Sequence, residues 1–119
     1  MSRLSDDLRE RTKRFASAVI RLYIALPKRR KEVEILGNQL LRSGTSVAAH
    51  AREASRARSD LEFCSKLDGL LQEADESQLW LELLRNDCAI RDGQLTYLYA
   101  ETEELLAIFT TIVAKIRRE

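Results

Sequence analysis

A chain of 119 residues is one domain by length and can bury roughly two thirds of the surface its unfolded form exposes, so it needs no disulfide or metal staple. With 4 Gly and 1 Pro it lacks the turn residues of an all-β protein, and an all-α fold is expected. The formal charge of +1 conceals two halves of opposite sign: residues 1–58 carry 14 Lys and Arg against 6 Asp and Glu, while residues 59–119 carry 6 against 13. The basic half either serves a polyanion or pairs with acidic helices inside a bundle or between subunits.

The N-terminus has Asp6, Asp7 and five basic residues before residue 15 but no apolar core, so no signal peptide is read there. No run approaches the roughly 18 apolar residues of a membrane span, and a cytoplasmic location is expected. A first helix is predicted from about Ser5 to Leu26, with Ser5 as N-cap, Asp6 and Asp7 in the first turn, and Leu8, Thr12, Phe15, Val19, Leu22 and Leu26 facing inward. Pro27 and the tetrad Lys28, Arg29, Arg30, Lys31 end it.

A second helix follows from about Lys31 to Ser55, carrying Val33, Leu36, Leu40, Val47, Ala51 and Ala54 inward. Ser43-Gly44-Thr45-Ser46 in its middle has poor helix propensity, yet small residues on such a stripe allow close helix approach, and one helix is kept. Ser59-Asp60-Leu61-Glu62 is a capping box, in which the serine takes the third amide and the glutamate returns to the serine amide. It opens a third helix whose inner stripe is Phe63, Leu67, Leu70, Ala74, Ser77, Leu81, Leu84 and Cys88. Asn86-Asp87 marks its end. Asp92-Gly93 is a turn signal, with Asp92 the N-cap of a fourth helix to about Arg117 and Leu95, Leu98, Thr102, Leu105, Phe109, Ile112 and Ile116 inward. The short connections predict one domain over residues 1–119, an antiparallel up-down-up-down four-helix bundle.

Off-stripe Leu79, Trp80 and Leu83 widen the apolar surface and are candidates for an oligomer interface, with an enlarged core as the competing place for Trp80. Cys64 and Cys88 form no C-x-x-C pair and have no histidine cluster, so they read as reduced thiols, Cys88 as a small buried hydrophobe.

His50 is the only histidine. Cys64, Ser46 and Glu53 could complete a nucleophile and base set with it, but no nucleophile elbow or Gly-rich oxyanion loop accompanies them. A di-iron site needs two Glu-x-x-His motifs, and Val47 stands three residues before His50. No P-loop, Rossmann fingerprint or H-E-x-x-H motif occurs. Catalytic residues, metal ligands and cofactors are therefore expected to be none, and Glu73, Asp75 and Glu76 read as a solvated face. The basic constellation is the functional candidate. Arg52 and Arg56 are one turn apart, Arg42 projects within about 40° of Arg56, and Arg58 lies in the turn beyond, so the four can share one broad face. Lys28, Arg29, Arg30 and Lys31 add charge at a bundle end. Such a set contacts phosphates in a sequence-tolerant, salt-dependent way. The competing reading is a solvated or intersubunit salt-bridged face.

Gln39-Leu40-Leu41-Arg42, Ser46-Val47, Glu53 and Arg56 to Phe63, followed by Lys66-Leu67, Glu73 to Ser77, Trp80 to Leu84 and Glu104 to Ile112, resemble the four-helix-bundle proteins encoded by intervening sequences of bacterial 23S rRNA genes. The chain has His50 where that family usually has asparagine, and Arg52-Glu53-Ala54 for its Ala-Glu-Gly. The resemblance implies a left-handed bundle assembled into a ring, a homopentamer, and a nucleic-acid connection shared with the accessory protein of diversity-generating retroelements, which partners a reverse transcriptase. The expected function is a non-enzymatic oligomeric accessory protein that binds RNA or DNA. The alternative is a ring-shaped protein scaffold without nucleic acid.

Overall fold

The computed structural model describes residues 2–119 and folds them into α1 (Asp6–Ala25), α2 (Lys31–Ser55), α3 (Asp60–Asn86) and α4 (Gly93–Arg118). Three helix starts are written in their caps: Ser5 Oγ accepts from the Leu8 amide at 3.2 Å, Ser59 Oγ from the Glu62 amide at 3.0 Å, and Asp92 Oδ1 from the Gln94 amide at 2.8 Å. The capping box differs from expectation in its return bond. Glu62 Oε1 accepts from the Arg58 amide at 3.3 Å, because the side chain reaches one residue past the cap. Ala89 lies between α3 and α4 at φ 58°, where a non-glycine residue is held by its surroundings.

The predicted inner stripes form the core, except that Leu8 of α1 and Leu36 of α2 are only half-buried against it. Phe15, Val19, Leu22, Leu40, Val47, Leu67, Leu70, Leu81, Leu84, Leu98, Leu105 and Phe109 are fully buried, each such side chain contributing about 1.5–3 kcal/mol of transfer free energy. The last turns of α4 depart from the expectation: Val113 points inward, while Ile112 and Ile116 are half-buried at the edge of the core. Successive helices are neighbours, α4 returns to pack on α1, and the backbones of α1 and α3, and of α2 and α4, do not approach closely, so the four stand in cyclic order. At 48 × 22 × 20 Å the molecule is about one helix long.

Ser43-Gly44-Thr45-Ser46 leaves α2 unbroken because tertiary contacts outweigh propensity. A Cβ on Gly44 would lie 2.8 Å from Val19 Cγ2, so the glycine is what lets α1 close on α2 there. On the α3 side, Ser43 Oγ and Ser77 Oγ are both buried and 2.7 Å apart, and Ser77 Oγ donates in turn to Glu73 O of its own helix at 2.8 Å. Where α1 meets α4, Arg11 grips the buried Glu101 with two bonds of 2.8 Å and reaches Glu104 at 3.1 Å. The Glu101 hydrogen bond raises the Arg11 pKa against the opposing effect of burial.

Ahead of α1, residues 2–5 form a strap across the α2 to α3 corner. Leu4 is buried in the core, the Arg3 amide donates to Ser55 O at 3.1 Å, Arg3 Nε donates to Ala57 O at 3.0 Å, and Arg3 Nη1 meets Asp60 Oδ1 at 2.6 Å. The carbonyls orphaned at the end of α2 are thus supplied with donors from the other end of the chain.

Candidate functional site

The basic candidates fall into two groups at opposite ends of α2, about 36 Å apart at 1.5 Å per residue. At its start, most of the cations are occupied. Lys28 Nζ donates to Ile24 O at 3.2 Å and Leu26 O at 3.4 Å and lies 4.5 Å from the centre of the Tyr23 ring. Arg30 Nη1 donates to Cys88 O at 2.9 Å and its Nε to Glu32 at 3.0 Å, while Lys31 Nζ is 3.7 Å from Glu34. Arg29 alone of the tetrad has no ion-pair or hydrogen-bond partner among the described residues.

The other end holds a cleft of about 1040 Å³ floored by Ala48 and Ala49. Arg52 from the last turn of α2, Arg56 from its C-cap, Arg58 from the turn, Arg9 and Lys13 from α1, and Lys66 from α3 line it. The carboxylates of Asp6, Glu10, Glu53 and Glu62 stand among them. Arg9 pairs with Asp6, Arg58 with Glu62 at 3.4 Å, and Lys66 with Glu53 at 4.0 Å. Among the described residues Arg52, Arg56 and Lys13 have no carboxylate partner, and all three are exposed. Arg9, Lys13 and Lys66 escape sequence reading because they come from other helices. The visible signal was the basic run of the first 14 residues.

Arg42 does not join this cleft, contrary to the single-face expectation. Its Nη1 bonds Glu73 and its Nη2 bonds Glu76, both at 3.0 Å, because α3 brings those two carboxylates one turn apart beneath it. Both contacts raise its pKa, the Glu76 hydrogen bond most. Glu73 and Glu76 are therefore interhelical partners and not a solvated face; Asp75 alone of the three stays exposed and unpaired among the described residues.

His50 lies over α3 at Gly69, where an added Cβ would sit 3.0 Å from His50 Cε1. Its Nδ1 is 3.0 Å from Glu53 Oε1 but off hydrogen-bond direction, and the imidazole packs on the α3 backbone outside the cleft lining. No group of three or more His, Cys, Asp or Glu is placed to hold a metal among the described residues. Cys64 and Cys88 are both buried thiols. Among the described residues no helix is long and apolar enough to cross a membrane. Of the interface candidates, Leu79 is exposed, while Trp80 and Leu83 are half-buried, Trp80 against the core with its Nε1 lacking an acceptor.

The same four-helix architecture occurs in the crystal structure of a protein of unknown function from the S23 ribosomal protein family of Bacteroides thetaiotaomicron VPI-5482. The likeness has a TM-score of 0.80 and 32% identity over 88% of this chain and 96% of that one. Among curated proteins, none matches the chain. The family model for the 23S rRNA-intervening sequence protein matches residues 6–111, nearly all of α1 to α4, and the chain belongs to that family.

Proposed function

We propose that this protein is a non-enzymatic cytoplasmic accessory protein, an antiparallel bundle assembled into a ring of five, that binds the phosphate backbone of nucleic acid through Arg52, Arg56 and Arg58, with Lys13 of α1 beside them. The observation that carries the reading is the cleft at the end of α2, where Arg52 and Arg56 are exposed and lack the carboxylates that engage Arg42. Guanidinium groups so placed suit phosphate oxygens, and nothing at this corner fits a groove to read bases, so binding is sequence-tolerant. The short connections support antiparallel neighbours. The ring repeats each modest contact around its circumference. Arg42, Lys28, Arg30 and Lys31, already engaged by carboxylates or carbonyls, take no part.

Retention of RNA and DNA across a salt series tests this. Three phosphate contacts contribute about −3 to the slope of log affinity against log salt for each subunit engaged. An absence of retention at low salt overturns the reading in favour of a protein-binding scaffold.

A further inference from the structure

The outer faces of α1 and α3 carry opposite chemistry on opposite sides of the molecule. On α1, Ile20 and Ile24 are 41% and 69% exposed one turn apart, with exposed Arg14 and Arg21 on the same outward side at 100° per residue. On α3, the outward line holds Leu79 at 45% exposure and the half-buried Leu83 one turn on, flanked by Asp75 and Glu82. Neither Arg14 nor Arg21 has an ion-pair partner among the described residues, and neither does Asp75; Glu82 only accepts from the Tyr99 hydroxyl at 3.1 Å. Because α1 and α3 are diagonal in the bundle, with no close backbone approach between them, one copy cannot bring their outward faces together.

We infer that a second copy of this chain covers each face: the Ile20, Ile24, Arg21 face of one subunit docks on the Leu79, Leu83, Asp75 face of the next. Two aliphatic pairs of equal spacing then meet with basic residues beside acidic ones, which gives the contact apolar burial and a preferred orientation. The contact is heterologous, so it repeats head to tail and closes into a ring when successive copies rotate about an axis. This assigns the α3 interface residues a complement on α1, leaves the Arg52 and Arg56 cleft outside the contact, and rests on the ring reading above.

Sedimentation velocity of the wild-type chain, Ile24→Asp, Leu79→Asp and a 1:1 mixture of the two variants tests it, with circular dichroism confirming helicity. Each variant alone should sediment as a monomer, since each loses one of the two faces. The mixture should form a dimer and nothing larger, because one intact α1 face and one intact α3 face remain. A wild-type oligomer that survives both substitutions overturns this contact while leaving the ring; so does a mixture that stays monomeric. A wild-type monomer at every concentration overturns the ring and the contact together.

Discussion

The two basic ends of α2 hold the same residue types in different chemical states. At the start of α2, Lys28 and Arg30 are spent on carbonyls of the helix before and the connection opposite and Lys31 lies beside Glu34, whereas at Arg52 to Arg58 comparable carbonyls are served by Arg3 of the strap. The lesson is that a cationic run informs about function only after its neighbours' orphaned carbonyls and carboxylates have been assigned. Where another segment supplies those donors, the arginines stay available.

The largest effect that would break this comparison is on binding. Arg52→Glu with Arg56→Glu should weaken retention of nucleic acid on the order of 100-fold at low salt. The melting transition should stay within about 0.5 kcal/mol of wild type, since neither residue holds the fold. Retained binding with an intact ring would move the site elsewhere, and loss of the ring in size-exclusion chromatography would assign the arginines to assembly. Next in size is Leu4→Ala, which empties a buried site under the strap and should cost about 2–3 kcal/mol in urea unfolding. Arg30→Ala removes the donor to Cys88 O and should cost about 1 kcal/mol while leaving retention on RNA untouched, the reverse of the cleft variant. The smallest effect is a control at a pair that touches neither basic group. The Glu82 hydrogen bond raises the Tyr99 pKa above its ordinary value of 10.0. A group raised on folding adds stability that is complete below its unfolded pKa and lost as pH climbs through the folded one. The margin of wild type over Tyr99→Phe should therefore hold up to about pH 10 and vanish above it.

Almost all of the fold was legible because it rests on local signals. Ser5, Ser59 and Asp92 announce helix starts, Pro27 announces an end, and the apolar steps of three and four locate the core. The strap was missed because a segment of four residues has no period; its one sign is Leu4, an apolar residue directly before an N-cap. The site was half legible. Angular position on α2 put Arg52 and Arg56 together, but helical angle cannot tell that α3 turns Glu73 and Glu76 toward Arg42, which depends on how two helices rotate against each other. The α1 contribution of Arg9 and Lys13 was hidden for the same reason.

Apolar stripes alone are a poor ruler. Slid past each other by one turn, about 5.4 Å, two such helices would still present leucine to leucine. The notch at Ser43 and Gly44 removes that freedom: only one alignment sets a hydroxyl against Ser77 and a missing side chain against Val19. Any slippage parts the two buried hydroxyls and drives Val19 against the α2 backbone. The weakest helix-forming stretch of the chain thus acts as a vernier mark, telling α1, α2 and α3 how far along one another to stop.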